Sequence, residues 1–384
     1  MVRHVSAQTH PVPLPAVQPL PSGLFTLEDH EALAHQQLDA NAWAYFSGGA
    51  ADELTLRANL TAWRTLNLLP RALQPLAAGH TRIELLGRTL AHPILLAPVA
   101  FQQLAHQDGE IATAHAAASQ GAGLVLSTQS STSLESVASA YLSHEDAGPL
   151  WFQLYFQPDR GFTRELVKRA EAAGYEALVL TVDAPTHGAR DRERRAGFKL
   201  PPGISAVNLA HMPAPAAQRK SHSDTLFNTL LTHSPTWDDV AWLQSITRLP
   251  VILKGIVNPL DASQAAQLQV AAIVVSNHGG RTLDTLPSTA SVLPLIADAT
   301  AGRLALLVDG GIRRGTDVLK ALALGATAVL VGRPYVYGLA NAGAMGVAHV
   351  IRLLRDELEI AMALTGCACL ERVPKALIFR IQAM

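Results

Sequence analysis

The sequence predicts an α/β protein: a (β/α)8 barrel with an N-terminal helical cap and a long irregular excursion after the fourth strand. From residue 93 onward, short apolar runs rich in β-branched residues alternate with helix-like segments, a pattern typical of parallel sheets. Eight such runs can be counted, and eight parallel strands suffice to close a barrel. The 384 residues, 49% hydrophobic and 16% charged, are enough for one large barrel with additions.

The segments before the barrel come first in the chain. Residues 1–26 are rich in proline without a long apolar core, and we interpret them as a flexible leader rather than a signal peptide. Residues 27–384 are predicted to form one domain. A helix is predicted over residues 28–46, before the glycines at 48 and 49, and residues 54–88 are predicted to form a mixed cap.

The barrel elements follow in order. Strands are predicted at residues 94–97, 124–127, 152–155, 177–182, 251–254, 272–275, 304–308 and 328–331. Helices are predicted at residues 109–120, 133–140, 161–173, 237–246, 259–268, 288–300 and 318–324. The polar stretch 190–235 is interpreted as an irregular excursion that could act as a mobile lid. A final helix at residues 344–364 is expected to pack on the outside.

The composition bounds the partners. The net charge is −1 with a pI of about 7.0, so neither nucleic acid nor an anionic membrane surface is expected to bind. The sequence contains no run of about 18 apolar residues, so no membrane span is predicted. A cytoplasmic location is expected. Cys367 and Cys369 are interpreted as intracellular thiols, because a metal site needs more ligands and disulfide scaffolds use more cysteines.

One loop carries acid–base chemistry. Residues 276–284 read Ser-Asn-His-Gly-Gly-Arg-Thr-Leu-Asp and follow the sixth predicted strand. His278 can take a proton near neutral pH, and the planar fork of Arg281 matches a carboxylate. The pair therefore suits an acid substrate that must lose a proton. The alternative is an ordinary turn with a surface histidine and arginine.

A second stretch predicts a phosphate site. Residues 309–317 read Asp-Gly-Gly-Ile-Arg-Arg-Gly-Thr-Asp after the seventh strand, and Gly332 and Arg333 follow the eighth. Both segments lead into helix starts, where exposed backbone amides and arginines favour an anion. In barrels of this class the loops after strands 7 and 8 commonly hold a phosphate.

At these residues the sequence resembles the FMN-dependent α-hydroxy acid oxidases and dehydrogenases. The matching segments are 276–281 and 309–318, and the resemblance extends from about residue 27 to about residue 370. It implies oxidation of an (S)-2-hydroxy acid to the 2-oxo acid, with FMN as cofactor, O2 as the expected acceptor and a homotetrameric assembly. The alternatives are a soluble dehydrogenase using a quinone or carrier protein, a barrel isomerase using FMN or a nucleotide phosphate, and a non-enzymatic binding module.

Polar residues at strand ends supply a cofactor site. Lys254 is a suitable neighbour for the flavin N1 and C2=O, because a cation stabilises the reduced ring. The resemblance implies that the segment after the first strand lies beside flavin N5. The residues expected to bind the cofactor are Ala97, Pro98, Val99, Ala100, Ser127, Gln153, Thr181, Lys254, Ser276, Asp309, Gly310, Gly311, Arg313, Gly332 and Arg333.

The catalytic residues are assigned from charge. His278 is the predicted base, and Asp183 is the carboxylate that would orient it and stabilise its protonated form. Arg281 is predicted to hold the substrate carboxylate together with Tyr45. The role of Tyr45 is implied by the resemblance, in which a tyrosine at this position reaches over the barrel mouth, and simple core packing is the alternative. Tyr155 is predicted to hydrogen-bond the hydroxyl or carboxylate of the substrate.

Two further residues are predicted to bind substrate. Arg190 resembles the second active-site arginine of the family, although a surface arginine in the charged cluster 190–195 is the alternative. Gln129 stands where glycolate oxidase has a tryptophan in the substrate pocket, so a substrate larger than glycolate is expected.

Overall fold

Eight parallel strands form a closed barrel in the computed structural model, which describes residue 15 and residues 17–210, 225–227, 231, 234–371 and 373–379. Neighbouring strands follow chain order, and the last strand pairs with the first, with Val329 opposite Ile94. The barrel strands are β4 (Ile94–Leu96), β5 (Gly123–Leu126), β6 (Leu150–Leu154), β7 (Ala177–Thr181), β8 (Val251–Ile256), β9 (Ala272–Val275), β10 (Ala305–Val308) and β11 (Ala328–Val331). The predicted fold class is confirmed.

These strands form because their residues are apolar on both faces. Most of their side chains are buried, as expected for a parallel sheet covered by helices outside and filled by side chains inside. The covering helices are α4 (Gly109–Ser119), α5 (Leu134–Leu142), α6 (Arg160–Ala173), α8 (Trp237–Ile246), α9 (Pro259–Gln267), α10 (Thr289–Thr300), α11 (Gly315–Ala323) and α12 (Arg333–Thr365). Parallel pairing brings the carboxyl ends of all eight strands to one rim, where barrel enzymes place their active sites.

The cap contains α1 (Leu27–Gln37), α2 (Ala40–Ser47) and α3 (Leu54–Thr65). The prediction of one helix over residues 28–46 is therefore wrong. The side chain of Asp39 accepts a hydrogen bond of 2.7 Å from the amide of Ala42, so it caps a second helix. Two antiparallel pairs complete the described chain: β1 (Asn67–Leu68) with β12 (Ile378–Phe379), and β2 (Ile83–Leu85) with β3 (Arg88–Leu90).

Helix α3 fixes the loop that carries His278. Asn59 and Asn277 exchange two side-chain hydrogen bonds of 2.8 and 2.9 Å, and both residues are buried. Beyond the loop, Asp284 accepts the amides of Leu54 and Thr55 at the start of α3, at 3.2 and 2.8 Å. The cap and the loop after β9 thus form one packed unit.

The structure adds detail to the predictions for three segments. In the described part of the predicted leader, Leu24 is buried and the side chains of Gln18 and His106 lie 3.0 Å apart, while Val17 and Phe25 are exposed. The excursion contains a short helix, α7 (Asp191–Arg195), and a 3₁₀ turn at Val207–Leu209. The last helix begins at Arg333 and kinks at Ala342 and Gly343, so the predicted helix 344–364 is its second half. Residues 1–14, 16, 211–224, 228–230 and 232–233 of the leader and the excursion lie outside the described residues.

Within the described residues, no helix combines the length and the apolar character needed to cross a membrane.

Candidate active site

A cavity of about 1830 Å³ opens at the carboxyl rim of the barrel. All but two of the residues predicted to be catalytic or to bind substrate or cofactor line it. The lining residues from that prediction are Tyr45, Ala97, Pro98, Val99, Ala100, Ser127, Gln129, Gln153, Tyr155, Thr181, Arg190, Lys254, His278, Arg281, Asp309, Gly310, Gly311, Arg313, Gly332 and Arg333. The exceptions are Asp183 and Ser276, which lie behind His278 and Lys254 and contact those side chains instead.

His278 and Asp183 form a hydrogen-bonded pair. The Nδ1 atom of His278 lies 2.8 Å from Oδ1 of Asp183. The other ring nitrogen, Nε2, is not used by this contact. Burial alone would raise the pKa of Asp183, but the charge and hydrogen bond of His278 outweigh it and the pKa is lowered. A Cβ atom at Gly255 would lie 2.5 Å from Cγ of Asp183, so only glycine gives the carboxylate this place. Asp183 is thus a charged carboxylate fixed against the imidazole.

Arg281 lies between the cap and the cavity. Its Nη1 donates to the carbonyl oxygens of Tyr45 and Gly48 at 2.5 and 2.9 Å, and its Nη2 donates to Oε1 of Glu193 at 3.1 Å. Its guanidinium carbon also lies 5.1 Å from the centre of the Tyr45 ring. Burial first, and then the charge of Arg190, lower the pKa of Arg281. A buried cation in this position favours an incoming anion.

Two tyrosines face the same space. Burial raises the pKa of both Tyr45 and Tyr155, so each keeps its hydroxyl proton and can donate a hydrogen bond. The ring of Tyr45 stacks on Phe198 with 4.8 Å between ring centres and 16° between ring planes. Phe198 follows α7, so the start of the excursion covers this part of the cavity.

Lys254 is a fixed cation at the end of β8. Its Nζ lies 3.0 Å from Oδ2 of Asp309 and donates to Oγ of Ser276 at 2.9 Å. Burial would lower the pKa of Lys254, but the charges of Asp309 and Asp183 outweigh burial and raise it. The ammonium group therefore stays charged in a nearly inaccessible position.

Gln153 has its orientation set by its neighbours. Its Oε1 accepts from Oγ of Ser127 at 3.3 Å and from the amide of Thr128 at 3.1 Å, while its Nε2 donates to Oγ1 of Thr181 at 3.0 Å. The strand ends of β5, β6 and β7 thus present a connected row of polar groups to the cavity. Such a row suits the polar edge of a flavin ring.

The residues at the ends of β10 and β11 fit the polyol and phosphate of FMN. Oδ1 of Asp309 is buried without a hydrogen-bond partner in the part of the chain that the structure describes, and a ligand hydroxyl would satisfy it. Among the described residues, Arg333 donates to carbonyl oxygens alone, those of Phe46, Gly48 and Gly279, so no hydrogen-bonded carboxylate neutralises its charge there. Burial and the charge of Arg281 lower the pKa of Arg333 to about 10.

Gly311 has a structural reason to be glycine. Its φ angle is 88°, and a Cβ atom there would lie 2.3 Å from the carbonyl oxygen of Asn59. The glycine therefore lets α3 pack against this loop, which is a requirement of the cap rather than of a ligand.

The sequence reasoning missed Glu193, Phe198 and His187, which all line the cavity. The available signal was the spacing of three between Arg190, the residue before α7, and Glu193 within it, because residues three apart at a helix start can contact each other. The contact of Glu193 with Arg281 depends on how the excursion folds over the rim.

The comparisons with known proteins agree with this site. The family model described as FMN-dependent dehydrogenase matches residues 34–380. An L-lactate oxidase of Alicycliphilus denitrificans is 48% identical over 356 residues, 92% of this chain and 96% of that protein. An L-lactate oxidase of Nostoc sp. is 49% identical over 355 residues, 92% of this chain and 97% of that protein. Glycolate oxidase 1 of Zea mays is 42% identical over 349 residues, 90% of this chain and 93% of that protein.

Solved structures give the same result. A mandelate oxidase solved with (S)-2-phenylpropionate superposes with a TM-score of 0.81 at 41% identity, over 90% of this chain and 96% of that one. The family model covers most of the chain, and the relatives are similar along nearly their whole length. This chain belongs to the FMN-dependent dehydrogenase family, and its cofactor is FMN.

Proposed function

We propose that this protein is an oxidase that converts an (S)-2-hydroxy acid of about the size of lactate into the 2-oxo acid. Dioxygen is the acceptor, and it becomes hydrogen peroxide. The observation that carries the proposal is the His278–Asp183 pair, which opens onto the same cavity as Arg281 and Arg190. A base beside a carboxylate-binding cation is what oxidation of a hydroxy acid requires.

The substrate carboxylate binds to Arg281 and Tyr45. Arg281 has its Nη1 atom fixed by two backbone carbonyls, so its charge has a set position. Tyr45 keeps its proton and donates to the same carboxylate, while Arg190 adds a second positive charge. Fixing the acid in this way places its hydroxyl group near the base.

The proton leaves through His278. Its Nε2 atom takes the proton of the substrate hydroxyl, and the adjacent Asp183 stabilises the resulting imidazolium. Tyr155 donates to the substrate hydroxyl oxygen or to its carboxylate. A route in which the base removes the α-proton instead uses the same residues.

FMN would supply the two-electron acceptor for the substrate and return the electrons to dioxygen. Lys254 and Gln153 would hold the polar edge of its ring, Asp309 a ribityl hydroxyl, and Arg313 and Arg333 its phosphate. The segment 97–100 after β4 would lie beside the ring. The remaining contacts proposed for the cofactor are those of Ser127, Thr181, Gly310, Gly311 and Gly332 through the cavity, and of Ser276 through Lys254.

The relatives support oxygen as the acceptor and a small acid as the substrate. Two of them are named L-lactate oxidases and are nearly half identical to this chain, which favours an oxidase over a quinone- or carrier-linked dehydrogenase. Gln129, in place of a bulky aromatic residue, leaves room for a side chain larger than the hydrogen of glycolate.

We also propose a cytoplasmic homotetramer. The two free thiols, Cys367 and Cys369, suit a reducing compartment. Large apolar side chains exposed on the single chain, among them Leu73, Leu260 and Leu364, suit assembly. Light scattering of the purified protein tests the homotetramer, and cell fractionation tests the cytoplasmic location.

The main experiment is anaerobic mixing of the FMN-loaded protein with glycolate, L-lactate, D-lactate and (S)-mandelate. L-lactate is expected to bleach the flavin absorbance, and admitted oxygen is expected to restore it with one equivalent of peroxide. A flavin that none of these acids bleaches would refute the proposed function. A bleached flavin that oxygen restores only slowly, but a quinone rapidly, would favour the dehydrogenase.

A further inference from the structure

The carboxylate of Glu193 contacts both Arg281 and Arg190, which are called the arginine pair below. Oε1 of Glu193 accepts from Nη2 of Arg281 at 3.1 Å and lies 3.3 Å from Nη1 of Arg190. The three side chains are 13–18% exposed, and all of them line the cavity. One carboxylate oxygen therefore bridges the two guanidinium groups that are proposed to receive the substrate carboxylate.

The donors left on these arginines are few. Both hydrogens of Arg281 Nη1 are directed to backbone carbonyls, so a ligand can use only Nη2 and Nε. Glu193 already accepts one of the two Nη2 hydrogens. The Nε atom of Arg190 is buried and has no hydrogen-bond partner among the described residues. On Arg281, an incoming carboxylate thus finds the second Nη2 hydrogen and Nε directly beside the carboxylate of Glu193. On Arg190 it meets a donor that is unsatisfied among the described residues.

We propose that Glu193 is a resident carboxylate that competes with the acid for Arg281 and Arg190, so that it sets the affinity of the site for substrate and product. The inference rests on the proposed function and names a determinant of binding at the same site. The carboxylate of a bound acid replaces that of Glu193 on Nη2 of Arg281. Because the 2-oxo acid product carries the same carboxylate, return of Glu193 promotes its release.

The exchange is a movement of one side chain. The helix that carries Glu193 is anchored next to it by Arg192, which lies 3.0 Å from Oγ of Ser47 and 2.5 Å from Oε2 of Glu53. Beyond the helix, Asn41 and the backbone of Lys199 exchange hydrogen bonds of 2.9 and 3.0 Å. With both flanks held, rotation of the Glu193 side chain frees Arg281 while α7 stays in place.

The test measures binding of pyruvate, a 2-oxo acid that cannot reduce the flavin, to the FMN-loaded protein by titration calorimetry. Glu193→Gln removes the competing charge, and pyruvate is expected to bind roughly tenfold more tightly or better, because a hydrogen bond to a charged group no longer has to be broken. Glu193→Asp keeps the charge, but its shorter side chain cannot bridge both arginines. The dissociation constant of pyruvate for this variant is therefore expected to lie between those of the wild type and Glu193→Gln. A merely structural role for Glu193 would give the opposite sign, since disordered arginines bind more weakly.

Asp191→Asn is the matched control. Asp191 lies on the same short helix, pairs with the exposed Arg194 at 3.1 Å and does not line the cavity. The Asp191→Asn substitution is expected to leave the dissociation constant of pyruvate unchanged. A Glu193→Gln protein with full flavin content that binds pyruvate no more tightly than the wild type would overturn the proposal. Turnover of L-lactate by the wild type is measured first, so a failure of the proposed function is seen separately from a failure confined to Glu193.

Discussion

Asp183→Asn isolates the electrostatic part of the proposed base. Asn can still accept a hydrogen bond from Nδ1 of His278 through its Oδ1 atom, and it has nearly the same shape. It removes the negative charge that lies 2.8 Å from the ring. The lowered pKa of Asp183 means that this charge is present throughout the neutral pH range, so the substitution changes the site at every pH at which the enzyme would work.

The size of the effect follows from the hydrogen bond. A bond to a charged group contributes about 1.5–3 kcal/mol and a neutral one about 0.5–1.5 kcal/mol, so the protonated imidazole loses about 1–2 kcal/mol of stabilisation. If proton transfer is well advanced at the transition state, flavin reduction slows roughly 5- to 30-fold. Removing the base itself, by His278→Gln, is expected to slow reduction by about 10²–10⁴-fold.

The assay is stopped-flow reduction of the FMN-loaded variants by L-lactate without oxygen. Asp183 also lies near Lys254 and contributes to the raised pKa of that residue, so it could act on the flavin instead of on the base. A double-mutant cycle separates the two routes. If Asp183 acts through His278, the Asp183→Asn change has no further effect in a His278→Gln background.

Two results would refute this reasoning. One is native-rate reduction of either single variant with full FMN content. The other is an undiminished effect of Asp183→Asn in the absence of the His278 imidazole, which would assign Asp183 to the cofactor rather than to proton transfer.

Three further predictions concern binding, specificity and pH. Arg281→Lys keeps the charge but loses the planar fork, so we expect a higher dissociation constant for L-lactate and about 10-fold or more loss of the reduction rate in the stopped-flow assay; unchanged constants would exclude Arg281 as the carboxylate site. Gln129→Trp fills the pocket, so the ratio of kcat/KM for glycolate to that for L-lactate should rise, and a native enzyme that already prefers glycolate would contradict the pocket argument. Burial lowers the pKa of His92 from 6.5 to about 4, so the unfolded chain binds a proton between these values that the folded chain does not. The free energy of unfolding should therefore fall as pH drops from about 6.5 to about 4, by up to about 3 kcal/mol from this residue, and His92→Asn should flatten that dependence in denaturant unfolding curves.

The eight strands could be predicted because both of their faces are apolar. A run such as residues 272–275, Ala-Ile-Val-Val, is buried on the inside by the barrel core and on the outside by helices, so its composition alone marks it. The predicted ends differ from the observed ones by at most two residues, since hydrogen bonding rather than composition decides where a strand stops. The break at Asp39 was missed because a capping residue inside a helical pattern has no apolar signal.

The residues of the cavity could be predicted because strand order alone brings strand ends to one rim. His278 and Asp183 follow β9 and β7, and Lys254 lies near the end of β8 between them, so their proximity follows from the topology. Their chemical roles remain predictions for the variants above to test. The sequence by itself thus determined the barrel, the family and the strand-end residues at its rim.

Only the tertiary structure showed that Glu193 contacts Arg281 and Arg190. Glu193 and Arg281 are 88 residues apart, and no periodicity joins an excursion after β7 to a loop after β9. The contact forms because α7 is held against α2 by Arg192, which places the Glu193 side chain over the cavity. Likewise, the glycine at 311 is required by the backbone of Asn59 in the cap, a close approach that depends on packing between elements and has no local pattern in the sequence.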